Sequence, residues 1–241
     1  NRLNIMEHTK LFNAINRHYY LIVDTETTKR GTVCDFGAVI VTKQGEIVEQ
    51  FGAMVLGHFG TLPLFSDPKA DPDSFWSEQS AQRRTKGYDQ MLIDGRRSQA
   101  SVALINEWLA GVLGRYNPVL TAYNLVFDMG STGKTGIKLG MFGSRFCLMK
   151  AAKRTIGVLA EYQDFCRERG LMTEGGKKAI KNPKPQMTAD AMAKFILDTN
   201  YEGSLADEPH TALEDARDYE AAILTKILES VTRKQLLEIG Q

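Results

Sequence analysis

Four carboxylates stand at the ends of apolar segments in this chain. Asp24 and Glu26 follow the apolar run in YLIVDTETT, Asp128 closes TAYNLVFD, and Asp215 lies in PHTALEDARDYEA, five residues after His210. Burying an ionised carboxylate without a partner costs several kcal/mol or more, so acids that meet at one place need cations between them. Hard oxygen ligands suit Mg²⁺ or Mn²⁺ better than zinc. The pattern predicts a two-metal centre that cleaves phosphodiesters.

The spacing of two pairs fits a shared centre. Asp24 and Glu26 are two residues apart on a predicted strand, so their side chains project from the same face. If a helix follows the strand at residues 118–122, Asn124 and Asp128 share one helix face, because residues four apart are neighbours there. Each pair taken alone also fits an ordinary strand end or helix cap.

The third pair, His210 and Asp215, has a less regular spacing. Five residues rotate two side chains about 140° apart on a regular helix, so both reach one centre only if His210 precedes the helix. Ala212 lies between them and is small enough to permit a close approach. A single histidine at a helix start is commonly a surface or capping group. The occurrence of all three pairs together, in this order, is what predicts a catalytic site.

The elements that position these acids predict an α/β fold. Residues 19–23 are continuously apolar up to Asp24, as in a central strand covered on both faces. Strands come first along the chain and helices follow, which favours a mixed sheet flanked by helices. Predicted strands lie at 35–42, 47–56, 118–122 and 146–149, predicted helices at 98–115, 151–169, 188–198 and 211–230, a loop-and-helix excursion at 67–94, and a flexible glycine-rich loop at 129–145.

The three pairs resemble the motifs of the DEDDh class of 3′-to-5′ exonucleases, the family of proofreading exonuclease subunits. Its D-x-E motif matches residues 24–26, its N-x-x-x-D motif matches 124–128, and its H-x-A-x-x-D motif matches 210–215. The resemblance covers most of the chain. It implies an RNase H-like fold, with a five-stranded mixed sheet and helices on both sides.

The resemblance also implies roles for individual residues. Two Mg²⁺ or Mn²⁺ ions would be bound by Asp24, Glu26, Asp128 and Asp215, and His210 would act as the general base. Thr25, Thr27 and Asn124 would contact the 3′-terminal nucleotide of the substrate. In this scheme one ion activates water and the other stabilises the leaving oxygen. The product would be a nucleoside 5′-monophosphate, released from single-stranded or frayed DNA.

Two positions depart from the family pattern. Lys29 and Arg30 follow the first motif, where the family usually has a glycine. Tyr123 precedes Asn124, where proofreading subunits commonly carry histidine. Both departures lie in the expected walls of the site, so they bear on the substrate more than on the chemistry.

Composition sets the expected surroundings. The formal net charge is +1, so affinity for nucleic acid must come from local basic groups and bound metal. Three cysteines without a C-x-x-C pair argue against disulfides and structural zinc and favour a cytoplasmic location. We expect no membrane span, and one exonuclease domain over 1–241 with an extension at 1–18 and a catalytic core at 19–230. The expected partner is nucleic acid with a 3′ end, and a polymerase or another replication or repair protein is a candidate second partner.

Three alternative functions remain open from the sequence. An RNA-trimming, oligoribonuclease-like enzyme would use the same chemistry on a different sugar, because only RNA offers a 2′-hydroxyl. A non-catalytic nucleic-acid-binding module would keep the fold without the reaction. A P-loop ATPase is the weakest, because GSTGKT at 130–135 lacks the required earlier glycine and has Asp128 in its place.

Basic and aromatic groups outside the motifs are secondary candidates for contacts with phosphates and bases. Basic residues cluster at 83–86, 96–97 and 177–184. Such groups also occur on ordinary solvated faces, and aromatic residues also serve in cores. The aromatic candidates are Phe65, Phe75, Trp76 and Tyr88.

Overall fold

The computed structural model describes residues 19–173, 183–197 and 211–231. The predicted N-terminal extension at 1–18 and most of the basic loop at 177–184 lie outside these residues. Within the described ranges, no helix combines the length and the apolar character needed to cross a bilayer.

A six-stranded mixed sheet forms the centre of the structure. Its strands are β1 (Tyr19–Thr27), β2 (Val33–Thr42), β3 (Ile47–Val55), β4 (Ser98–Ala100), β5 (Val119–Ala122) and β6 (Arg145–Cys147). β1, β2 and β3 are antiparallel neighbours, and β5 and β6 continue the sheet beyond β1 as parallel strands. The strand order is β4-β3-β2-β1-β5-β6, and this mixed sheet with helices on both faces confirms the predicted α/β fold class.

The number of strands differs from the prediction of five. β4 pairs in parallel with the end of β3, opposite Ala53, and the helix predicted over 98–115 starts only after it. Three residues are too few to show the alternation of polar and apolar side chains that marks a strand. The extra strand lies at the edge of the sheet.

Helices cover both faces of the sheet. They are α1 (Glu78–Ile93), α2 (Val102–Tyr116), α3 (Leu125–Thr135), α4 (Leu148–Thr155), α5 (Ala160–Glu168), α6 (Ala189–Ile196), α7 (Ala212–Glu214), a π-helix (Asp215–Glu220) and α8 (Ala221–Ser230). α2 and α3 pack on the face that contains Leu21, and α4, α5, α6 and the C-terminal helices pack on the face that contains Ile22. Burial on both faces explains the continuous apolar run in β1.

The prediction of a flexible loop over the glycine-rich segment is wrong at its start. α3 runs through Gly130 and Gly133, although each interior glycine costs about 1 kcal/mol relative to alanine. The Thr135 hydroxyl accepts the backbone N–H of Val33 at 2.8 Å and ties this helix to β2. Gly136, with φ of 89°, ends the helix. The GSTGKT sequence at 130–135 therefore lies entirely within α3 and does not form a phosphate-binding loop.

The single helix predicted over 151–169 is two helices in the structure. α4 ends at Thr155 and α5 begins at Ala160. The backbone N–H groups of Ile156 and Gly157 both bond to the carbonyl of Ala152 at 2.9 Å, which closes α4 with a tight turn. The apolar period continues across the turn, so the sequence pattern alone reads as one helix.

Candidate active site

Three of the predicted acids meet beside the end of β1. One carboxylate oxygen from each of Asp24, Glu26 and Asp215 lies within 4.8 Å of the other two. We call these three residues the acid cluster. Asp24 and Glu26 project from one face of β1, and Asp215 begins the π-helix that packs over that face. A compact group of hard oxygen donors fits Mg²⁺ or Mn²⁺, because like charges this close repel unless a cation lies between them.

Asp128 reaches this region from α3. Its side chain is buried, and its Oδ1 accepts a hydrogen bond of 2.8 Å from the Thr25 hydroxyl. The same hydroxyl lies 3.2 Å from Oγ of Ser131. Burial, and then the charge of Asp24, raise the pKa of Asp128 well above its usual range. The charge of Asp24 therefore acts on Asp128, although Asp128 is not one of the three residues of the acid cluster.

The pKa of Asp24 is raised by its surroundings. Burial, and then the charge of Asp35, raise the pKa of Asp24 from 3.8 to about 7, although the hydrogen bond from the backbone N–H of Thr25 acts to lower it. A carboxyl group with this pKa holds a proton through much of the acidic range. A divalent cation would replace that proton and keep the carboxylate ionised.

The residues predicted to contact substrate lie in different environments. Thr25 and Thr27 are buried, and the Thr25 hydroxyl is used to hold Asp128. Asn124 is exposed and adopts a left-handed conformation, with φ of 75°, directly before α3. Asparagine tolerates this conformation better than most residues, and here it turns the chain sharply from β5 into the helix that carries Asp128.

The predicted general base, His210, lies outside the described residues. The described chain resumes at Thr211, immediately before α7. The role of His210 therefore stays a prediction from the third motif.

A fifth acid, which the sequence analysis did not predict, belongs to the same region. Glu220 is buried and accepts the backbone N–H of Tyr123 at 3.1 Å. Burial, and then the charges of the three neighbouring acids, raise the pKa of Glu220 well above its usual range. Those acids are Asp24, Asp128 and Asp215. Through Tyr123 it also fixes the chain just before α3.

The π-helix explains why Glu220 was missed. Glu220 follows Asp215 by five residues, which on an α-helix places the two side chains about 140° apart. A π-helix closes its hydrogen bonds at the fifth residue, so residues five apart lie nearly above one another. Residues 215–220 form such a π-helix and turn both acids toward the same side.

A buried ionic network fixes α7, which immediately precedes Asp215. Oδ2 of Asp35 on β2 accepts the backbone N–H of Ala212 at 3.0 Å. The Arg97 guanidinium lies 3.6 Å from Asp35 (Nε to Oδ1) and forms an ion pair with Glu214. Burial raises the pKa of Asp35 to about 6, and the charge of Arg97 opposes that rise. The network ties the sheet to the helical segment that delivers Asp215.

Two glycines allow α7 to lie directly on the sheet. Gly37 on β2 stands opposite Asp24 on β1 and opposite Gly52 on β3. A Cβ at Gly37 would lie 2.1 Å from the carbonyl carbon of Ala212, and a Cβ at Gly52 would lie 2.4 Å from Nη1 of Arg97. Any larger residue at Gly37 would push α7 away from the sheet.

We expect Gly37→Ala to destabilise the protein and disrupt the acid cluster. The new methyl group meets backbone that cannot rotate away, so the loss should reach at least the 1–3 kcal/mol typical of overpacking. Urea unfolding and Mn²⁺ binding would measure both effects. Gly87→Ala is the matched control, because a Cβ there meets no heavy atom of the described residues within 4 Å and lies within α1. A Gly37→Ala protein with wild-type stability and metal affinity would contradict the predicted close contact.

Comparisons with known proteins give similarity of fold at low identity. No family model matches the chain, and neither does any curated protein. Among solved structures, the chain is similar to E. coli exonuclease I in complex with a 5cy-dT13 oligonucleotide, with 14% identity and a TM-score of 0.47 over 92% of this chain and 42% of that chain. It is also similar to exonuclease I in complex with the inhibitor BCBP, with 14% identity and a TM-score of 0.46 over 92% and 43% of the two chains. The chain therefore spans less than half of the exonuclease I chains.

Proposed function

We propose that this protein is a metal-dependent 3′-to-5′ exonuclease that releases nucleoside 5′-monophosphates from single-stranded or frayed DNA. The observation that carries the proposal is the 4.8 Å grouping of carboxylate oxygens from Asp24, Glu26 and Asp215, which come from two distant parts of the chain. Asn124 and Asp128 supply the intervening motif. Each of these acids taken alone is common in proteins. Three carboxylates that converge can hold a divalent cation together, which an isolated surface acid cannot do.

The residues would divide the work between metal binding and proton transfer. Asp24, Glu26, Asp128 and Asp215 would hold two Mg²⁺ or Mn²⁺ ions, which when bound supply charge stabilisation to the phosphate. His210 would accept a proton from the attacking water, since an unperturbed histidine titrates near pH 6.5. The remaining groups act on these side chains.

Two of those remaining groups, the side chains of Thr25 and Glu220, position residues in and next to the second motif through hydrogen bonds. The Thr25 hydroxyl orients Asp128 by donating to its Oδ1. Glu220 holds the backbone of Tyr123, the residue before Asn124. Both contacts fix the second motif relative to the first and the third, so they would keep the acids in place during turnover.

The proposed substrate is a single-stranded or frayed end. A terminal base must leave its duplex before its phosphate can enter a recessed site, and this costs least where the base is already unpaired. With a net charge of +1, the protein offers little long-range attraction to a duplex. Local contacts near the acid cluster must therefore supply most of the affinity.

Incubation with 5′-labelled single-stranded DNA and RNA, with Mn²⁺ or with EDTA, tests the function. We expect stepwise shortening from the 3′ end, release of mononucleotides, and loss of both in EDTA. Faster shortening of RNA would favour the oligoribonuclease-like alternative, and binding without any release would favour the non-catalytic module. Strong hydrolysis in EDTA would contradict the metal mechanism.

A further inference from the structure

An exposed group of aromatic rings lies on the segment between β3 and α1. Phe65 is 41% exposed and Trp76 is 50% exposed, and Phe75 is half-buried beside them. The ring centroids of Phe65 and Trp76 are 5.7 Å apart, and those of Phe75 and Trp76 are 4.8 Å apart. We call these three residues the aromatic patch. Exposed aromatic rings that cluster in this way mark binding surfaces more often than single exposed apolar residues do.

The aromatic patch is attached by its backbone to the end of β1. The N–H of Phe65 donates to the carbonyl of Thr27 at 2.8 Å, and the N–H of Lys29 donates to the carbonyl of Pro63 at 2.9 Å. Between these bonds, Thr28 and Leu64 form an antiparallel bridge. The first of these contacts begins one residue after Glu26, so the patch is fixed beside the first motif.

Arg84 on α1 connects the aromatic patch to the acid cluster. Its Nη1 lies 3.5 Å from Oε2 of Glu26, and its Nη2 donates to the carbonyl of Phe65 at 2.9 Å. Its guanidinium carbon lies 4.1 Å from the ring centroid of Phe75. One cationic group therefore touches both the candidate metal ligands and the aromatic rings, and the two surfaces are continuous.

We propose that the aromatic patch is a base-stacking site for single-stranded nucleic acid whose 3′ end lies at the acid cluster. The inference rests on the proposed function and specifies how that site holds its substrate. Nucleobases stack on exposed aromatic rings whatever their sequence. Arg84 adds a positive charge where the phosphates of the same strand would pass between the rings and the acids. A single strand of nucleic acid carries both bases that can stack and phosphates that can pair with a cation, whereas an apolar peptide carries no phosphates.

Trp76 should make the largest contribution, because it is the most exposed ring of the patch. Loss of one base–aromatic stack weakens binding about 5- to 150-fold, so we expect Trp76→Ala to weaken binding of a thymidine oligonucleotide by that factor. Trp76→Phe retains a ring and should restore most of the affinity. The penalty should vanish for an abasic oligonucleotide of the same length, which keeps the phosphates and lacks the bases.

Fluorescence anisotropy of labelled oligonucleotides in EDTA measures these affinities without hydrolysis. Ile93→Ala is the matched control, because Ile93 is 77% exposed at the end of α1 and lies outside the patch. It should bind both oligonucleotides as the wild type does. If Trp76→Ala binds the thymidine oligonucleotide as tightly as the wild type, or loses affinity for both oligonucleotides equally, the stacking site is overturned.

Intrinsic fluorescence gives a second, direct measurement. The chain contains two tryptophans, and the other, Trp108, packs against Phe51 with centroids 5.1 Å apart. In a Trp108→Phe protein, Trp76 is the only indole, and the thymidine oligonucleotide should quench it while the abasic one should not. Equal emission with and without the thymidine oligonucleotide would overturn the inference.

These experiments distinguish a failure of the stacking site from a failure of the proposed exonuclease function. Hydrolysis by the wild type together with unchanged binding by Trp76→Ala would reject the stacking site and leave the exonuclease standing. Binding that depends on Trp76 without any release of mononucleotides would support the stacking site and reject the exonuclease.

Discussion

Replacing Asp24 by asparagine should lower the turnover of the proposed exonuclease reaction by about 10³-fold, while making the metal-free protein more stable at neutral pH. Loss of one group that stabilises transition-state charge typically costs about 10²- to 10³-fold in turnover, and Asp24 is placed to hold metal as well. Asparagine keeps the shape of the side chain and removes its charge. The loss of turnover and the gain in stability are therefore both expected from the removal of one carboxylate charge.

The pH dependence of the stability gain follows from the raised pKa of Asp24. Its pKa is about 7 in the folded protein against 3.8 for the free group, chiefly because of burial. Between these values the folded state binds more protons than the unfolded state, so the free energy of unfolding falls as pH rises from about 4 to about 7. The wild-type apoprotein should therefore lose a few kcal/mol over this range through Asp24, and Asp24→Asn should not.

Urea unfolding in EDTA near pH 5 and near pH 8 measures this difference. Asp24→Asn should exceed the wild type in stability near pH 8, and the gap should narrow near pH 5. Mn²⁺ should stabilise the wild type more than the variant near pH 8, because the metal replaces the proton. Asp164→Asn, at an exposed position on α5 paired with Arg167, should leave both quantities unchanged. Full turnover in Asp24→Asn would contradict the proposed role of Asp24 as a metal ligand.

The parts of this molecule that could be predicted from sequence are those with a local signal. The apolar run of β1 indicates a strand covered on both faces, and the two-residue spacing of Asp24 and Glu26 sets a common face. The helical period of α2 predicted its position to within a few residues at each end. These features depend on neighbours along the chain, so their patterns survive without knowledge of the fold.

The parts that could not be predicted depend on contacts between distant segments or on irregular helix geometry. Glu220 joins the acids only because a π-helix replaces the regular turn after Asp215. Asp35 and Arg97 look like ordinary polar residues until the sheet and α7 bring them together. Gly37 matters only because another backbone lies where its side chain would be. Such residues carry no motif, and their function appears only in three dimensions.

Arg97→Met should be the most destabilising single change at the site, at about 3–5 kcal/mol. The side chains of Arg97 and Asp35 are fully buried, so removing the guanidinium leaves the Asp35 carboxylate in the interior with its main cationic partner gone. Glu214 loses its ion pair at the same time. Methionine has a similar length, so packing changes little and the effect isolates the charge.

Arg96→Met is the matched control for this change. Arg96 is the preceding residue, and its side chain is 60% exposed and pairs with Asp94 at 3.1 Å. An exposed pair of this kind contributes about 0–1 kcal/mol, so the control should unfold close to the wild type in urea. Equal stabilities of Arg96→Met and Arg97→Met would contradict the buried network.

A second substitution separates the charge of Asp35 from its role in holding α7. Asp35→Asn combined with Arg97→Met removes the uncompensated charge and keeps an oxygen that accepts the Ala212 N–H, so the double variant should recover part of the lost stability. Because that hydrogen bond fixes the helical segment carrying Asp215, Mn²⁺ affinity should recover along with it. Stability that recovers while Mn²⁺ affinity stays low would instead show that the Arg97–Glu214 ion pair is what places Asp215.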